Sequence, residues 1–233
     1  MSIGQATLDA FSRLATGDLL LWTTVWISLK TSALALMIAA VPAVWLAYAL
    51  AFTQFRGRKA LMVLVQASLA LPTVLIGLIL FLLLSRSGPL GMLDLLFTQP
   101  GLVIGQAILG LPLVAAFLLA VFKVSDARLM ETAITLGAGP WMRLITVIKE
   151  LRFGVLAALV TGFGRVISEV GCALMIGGNI ESHTRTMTTA IALETSKGDF
   201  SQGIALGIVL LVIALGLNAL TTYLQPSGEG RRA

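Results

Sequence analysis

Long unbroken stretches of apolar residues dominate this chain, separated by short polar connections. Five runs stand out, at about Trp22–Phe52, Ala60–Leu84, Gly101–Phe122, Phe153–Ile176 and Gly203–Leu224, each ending at charges, Gly or Pro. A bilayer core asks for about 20 consecutive apolar residues per spanning helix, and every run meets that length. Barrel strands fit poorly, since they read as alternating segments of about ten residues. These runs are longer, do not alternate, and are rich in Leu and Ala, which are good helix formers. The pattern therefore predicts an all-α polytopic membrane protein with about five transmembrane helices. Residues 1–21 form an N-terminal, interfacial segment, 22–224 the transmembrane domain, and 225–233 a short tail.

Polar and special residues refine this picture. Pro42, Pro72 and Pro112 lie within the first three runs, where each removes a backbone donor and bends the helix. Packed neighbours or a water-lined cavity can absorb that cost. Trp22 and Trp26 suit the headgroup level, and Lys30, about a turn further in, can snorkel toward it. The stretch Ser85–Gly91 has turn chemistry. In the longest polar connection, 123–152, Ser125 or Asp126 can cap a helix. Leu129, Ala133 and Leu136 then share one face, Gly137 and Gly139 stop the helix, and Pro140 opens a second. This helix–turn–helix presents an apolar stripe that suits a partner protein, or, in the plainer reading, a lipid surface.

Composition agrees with a membrane protein: 58% of the 233 residues are hydrophobic and 12% charged, with mean hydropathy +0.97. Soluble domains carry about 25% charge. The pI near 9.9 does not indicate nucleic acid, because the basic residues are scattered among the connections. Arg56, Arg58, Lys59, Lys123, Arg128, Arg143, Lys149, Arg152, Arg231 and Arg232 fall in connections 53–59 and 123–152 and in the tail. The other connections keep Arg13, Arg86, Arg185 and Lys197. The positive-inside rule then predicts a cytoplasmic C-terminus and, with five spans, an N-terminus outside. The single Cys172 excludes an internal disulfide, and the first 20 residues lack the pattern of a cleaved signal, so the start is expected to be retained.

No phosphate-binding G-x-x-x-x-G-K-[ST] loop and no G-x-S-x-G elbow occurs, and the sole His183 has no zinc-ligand partners. Ser168 and Glu169 are adjacent on one helix and diverge, which argues against an intramembrane hydrolase. A channel or secondary transporter remains the rival, although five spans do not divide into the even inverted halves common in such proteins.

Within the long connection, E-T-A-I-T-L-G at 131–137 resembles the E-A-A-x-x-x-G signature of importer permeases of the ATP-binding-cassette superfamily. The family usually continues to Leu-Pro, where this chain has Lys149 and Glu150. The likeness extends through F-R-G-R at 55–58, G-P-L-G at 88–91 and G-R-V-I-S-E-V-G-C-A-L-M-I-G-G-N-I at 164–180. That last stretch resembles molybdate and tungstate permeases, and E-T-A-I-T-L-G-A-G at 131–139 combined with K-E-L-R-F-G at 149–154 is more similar to the tungstate branch. The resemblance implies a type I importer permease fold whose coupling helix seats Glu131, Thr132, Ala133, Leu136 and Gly137 in a groove of a separate ATPase. It further implies a second copy of this chain, two cytoplasmic ATPase subunits that bind ATP and Mg, and an extracytoplasmic binding protein that delivers the oxyanion.

Arg165 and Glu169 lie four residues apart in the fourth run, so one helix face brings them together. Unpaired charge at that depth costs several kcal/mol, on the order of 3 by insertion scales. The pair is either a gate or pathway element or an internal salt bridge that fixes the helix. Arg165 as a direct anion ligand is disfavoured, because tight binding in a pathway slows release. Gly177, Gly178 and Asn179 end the same run, as part of an outer gate or as a plain helix stop. His183 and Arg185 fall in a polar segment expected to face outside and to touch the delivery protein.

Overall fold

The computed structural model describes residues 3–125 and 127–224, so the tail at 225–233 and the proposed cap Asp126 lie outside the described residues. The described residues form eleven α-helices and no strand. α1 (Ile3–Thr16) precedes α2 (Leu19–Phe52), which begins three residues before the first apolar run because Asp18 caps it. The Asp18 carboxylate accepts from the N–H groups of Leu20 and Leu21 at 3.0 and 3.4 Å. The second run forms α3 (Arg58–Ala67), a 3₁₀ turn (Ser68–Ala70) and α4 (Thr73–Leu84). α5 (Gln99–Lys123) follows, then α6 (Ala127–Thr135) and α7 (Pro140–Glu150), which make the predicted helix–turn–helix. The fourth run is α8 (Arg152–Ile167) plus α9 (Gly171–Gly177), and α10 (Met187–Lys197) and α11 (Phe200–Leu224) complete the chain.

Three helices, α2, α5 and α11, are long and apolar enough to cross a membrane alone. The pairs α3–α4 and α8–α9 have the length and composition of a broken span or a re-entrant loop, bent by 102° and 59°. Proline explains the sharper bend. A residue before Pro is pushed out of the α region, and Leu71 is extended at φ −67°, ψ 136° with Pro72 starting the next helix. The sequence reading of Pro72 as a kink within one span is thus corrected to a turn between two helices. Pro42 and Pro112, by contrast, are carried inside continuous helices.

α2 and α5 run side by side in the same direction. Lys30, a third of the way along α2, donates to the Gln99 side chain at the start of α5 at 3.1 Å, and Phe52 packs on Phe122 near the ends of both, ring centroids 6.1 Å apart. Around that second pair lies the main core, in which Leu50, Leu118, Phe122, Leu144 and Val147 are fully buried. It joins α2 and α5 to α7 and the start of α8, so connections 53–57 and 124–151 share one end of the bundle. Small residues bring helices close elsewhere. A Cβ on Gly77 of α4 would sit 2.9 Å from the Cys172 Cα of α9, and one on Gly105 of α5 would strike Ile176.

α1 lies against α11, with Ala6 and Ala10 buried and Leu8 and Phe11 exposed. Its Arg13 reaches Asp18 and Asp199 at 3.7 and 3.9 Å.

Candidate functional site

The two bends meet. Gly171, at the start of α9, is packed so closely on Thr73 and Val74, at the start of α4, that an added Cβ would come 3.1 Å from the Val74 nitrogen. Beside this junction a cavity opens, lined by Ser68, Leu71 and Thr73 from the first bend, Gln106, Gly110 and Pro112 from α5, and Arg165 and Glu169 from the second. Both sequence-predicted charges therefore border one intramembrane space.

Their arrangement is asymmetric. Glu169 lies past the end of α8, its side chain only 7% exposed, whereas that of Arg165 is 48% exposed. The Glu169 carboxylate accepts from the Cys172 N–H at 3.1 Å, capping α9, and the Thr188 hydroxyl donates to the Glu169 carbonyl at 2.8 Å. Glu169 is thus held by neighbours on both sides, while Arg165 Nη1 approaches it only to 3.8 Å. That separation is an ion pair without a direct hydrogen bond.

Gly177, Gly178 and Asn179 do not join this group. They end α9 at its far side, with Gly178 at φ +67° donating to the Leu174 carbonyl at 3.0 Å and Asn179 at φ +53°. A residue without a Cβ adopts that left-handed conformation at least cost. The Thr184 hydroxyl donates to the Gly177 carbonyl and accepts from the Ile180 N–H, and Phe97 N–H donates to the Ile176 carbonyl at 2.8 Å. The stop is therefore knitted to the flanking loops.

The segment after it differs from the sequence expectation. Arg185 is buried, with its guanidinium 2.9 Å from Glu181 and 3.8 Å from the buried Glu194, while His183 is exposed as expected. Thr186 and Thr189 form a capping box that starts α10, a helix the apolar-run pattern does not mark. The Met187 N–H donates to the Ser28 hydroxyl of α2 at 2.7 Å.

At the opposite end, the helix α6 stops in a Schellman motif: Gly137, at φ +74°, donates to Ile134 at 2.9 Å and Ala138 to Ala133 at 3.0 Å. Gly139 starts α7 rather than stopping α6, and Ser125 donates back to Phe122 instead of capping. Leu129, Thr132, Ala133 and Leu136 line a groove with Met142 and Thr146 of α7. Ala133 forms its buried floor and Leu136 stands 81% exposed at its edge. Glu131 lies on the same short helix, and the Thr135 hydroxyl donates to its carbonyl at 2.5 Å.

Gln106 and the buried position of Arg185 were not singled out by sequence reasoning. Gln106 is the sole polar side chain in the third run, which was the available signal.

A helical bundle with bent helix pairs around a largely apolar cavity that carries a few polar side chains fits a multi-pass membrane permease. Residues 43–228 match the family described as binding-protein-dependent transport system inner membrane component, and the chain belongs to that family. It is 38% identical over 225 residues to a probable anion ABC transporter permease protein of Haloferax volcanii, covering 93% of this chain and 97% of that one. It is 42% identical over 174 residues to the tungstate uptake system permease protein TupB of Campylobacter jejuni (75% and 73% covered). The TupB of Peptoclostridium acidaminophilum is 36% identical over 223 residues, with 96% and 98% covered. A crystal structure of an amino acid ABC transporter with histidines superposes with a TM-score of 0.64 over 91% of this chain and 96% of that chain, at 18% identity, and so shares the fold.

Proposed function

We propose that this chain is the permease of an ATP-driven importer for tungstate or molybdate, delivered by an extracytoplasmic binding protein. The observation that carries the reading is the cavity at the junction of the two broken spans, which holds Arg165 inside a chain similar over nearly its whole length to a tungstate permease. Two copies flank the pathway, and the exposed apolar face of α4, with Leu75, Ile79 and Leu82, supports such pairing. ATP and Mg are bound by two separate cytoplasmic subunits that dock on the α6–α7 groove. An apolar groove at the bundle end that also carries Arg56, Lys123, Arg143 and Lys149 supports this orientation, with the N-terminus outside and the C-terminus inside.

The mechanism needs two packings whose balance ATP shifts. Closure of the ATPases moves α6 and α7. Through the core shared by α7, α8 and α5 that movement tilts the helices on either side of the cavity. Arg165 and Glu169 sit where α8 and α9 bend, so a change of bend alters their separation.

The test is purification of the tagged chain with its associated subunits, followed by uptake of tungstate, molybdate and sulfate into proteoliposomes with the loaded binding protein and ATP. ATP-dependent tungstate or molybdate uptake is expected. Uptake of sulfate alone replaces the substrate, and transport by the chain without an ATPase overturns the importer reading.

A further inference from the structure

Gln106 has no explanation in the fold. It is 2% exposed on an otherwise apolar stretch of α5, yet its Oε1 is buried without a hydrogen-bond partner among the described residues. A buried amide left unpaired forfeits its hydration with nothing in return, so such a group is retained at a cost to stability. Gln106 borders the same cavity as Arg165 and Glu169. Rotation about its last bond exchanges oxygen for N–H, so the side chain can aim either acceptor or donors at a guest.

Resting on the oxyanion-importer reading above, we propose that the Gln106 amide and the Arg165 guanidinium form a weak transit site for a tetrahedral oxyanion within the membrane, with Glu169 as the counter-charge that sends the anion on. The fork of an Arg side chain matches the edge of an oxyanion, and an amide N–H adds a second donor. Arg165 is half exposed and 3.8 Å from its carboxylate, so it is free to turn toward an anion. The Glu169 carboxylate is held by the Cys172 N–H and its backbone carbonyl by the Thr188 hydroxyl, so it is the less mobile partner. An entering anion competes with Glu169 for Arg165, which keeps its affinity low. A pathway requires this, since a site must be favourable enough to enter and weak enough to leave.

The experiment uses the complete transporter, with its ATPase subunits and binding protein, in proteoliposomes, and measures tungstate uptake and ATP hydrolysis in the same vesicles. Gln106→Met fills the same space without hydrogen-bonding groups and is expected to lower tungstate moved per ATP hydrolysed by about tenfold or more, the scale of a lost hydrogen bond to a charged partner. Gln106→Glu, which places a carboxylate beside the anion, is expected to lower it further. Gln106→Asn keeps the amide and is expected to fall between wild type and Gln106→Met. An unchanged ratio in Gln106→Met, or uptake and hydrolysis falling together in all three variants, overturns the transit site and leaves Gln106 a packing residue. Wild-type vesicles that move none of tungstate, molybdate and sulfate overturn the oxyanion reading itself, and the transit site with it.

Discussion

Leu136→Ala is the most discriminating change at the proposed ATPase interface. Leu136 follows the last turn of α6 and is 81% exposed, so its removal leaves the chain's own packing nearly untouched. Exposed positions of this kind alter stability by about 0.5 kcal/mol or less. Fully burying a Leu side chain contributes about 1.5–3 kcal/mol, and the portion of Leu136 that a partner can cover beyond the β-carbon is worth about 1–2 kcal/mol. At about 1.4 kcal/mol per factor of ten, the ATPase subunit should bind about 5- to 30-fold more weakly. The assay is titration of the ATPase subunit onto the chain in lipid nanodiscs, with thermal unfolding of the chain in parallel. Weakened association at unchanged unfolding temperature is the expected result. Wild-type association of Leu136→Ala would refute the reasoning, because no docking mode through this groove leaves its most protruding apolar group uncovered.

Other perturbations test other parts of the fold. Gly77→Val should lower the unfolding temperature in detergent by the equivalent of about 1–3 kcal/mol, since the new side chain meets the Cys172 backbone, 2.9 Å from Gly77's ideal Cβ. No loss of stability would mean that α4 and α9 do not pack as described. Phe122→Ala, at the centre of the α2–α5–α7 core, should cost about 3–5 kcal/mol in the same measurement. Glu194→Leu leaves the buried Arg185 with the exposed Glu181 as its one acidic partner among the described residues, and a loss of about 3 kcal/mol is expected by thermal unfolding; a neutral result would show that water reaches Arg185. In a Cys172→Ala background, Ser87→Cys should react with an impermeant maleimide on intact cells, and Gln54→Cys only after permeabilisation. The reverse pattern would invert the proposed topology.

What the sequence reveals here depends on the scale of the signal. Bilayer spans need long apolar runs, so the five runs and the connection with its two helices were legible from hydropathy and from Gly137 and Pro140. The bends were only half legible. Pro72 announces a distortion, but whether a proline kinks a helix or ends it depends on the neighbours that absorb the freed groups; Pro42 and Pro112 remain inside helices. The break at Ser168–Val170 carries no proline, and what stabilises it is a carboxylate at 169 capping the next helix. α10 was hidden because its polar threonines resemble a loop; the T-x-x-T capping pattern at 186–189 was the local clue. Arg185 was read as an external contact because its partner Glu194 lies nine residues away, on the helix that was not anticipated. The pairing of Arg165 with Glu169 was correct, yet Gln106, contributed by a different helix, reaches the same cavity only through tertiary packing.

The 34 residues of α2 have a consequence for the surrounding lipid. At about 1.5 Å per residue the helix is about 51 Å long, against a hydrocarbon thickness of about 30 Å. Even at a tilt of about 40°, the upper end of the usual range, it spans about 39 Å, so its ends must stand in the headgroup layers. Trp22 and Trp26, exposed near one of those ends, suit that layer. Because α5 lies along α2, a thicker bilayer is expected to draw α2 upright and, with it, the helix that bears Gln106.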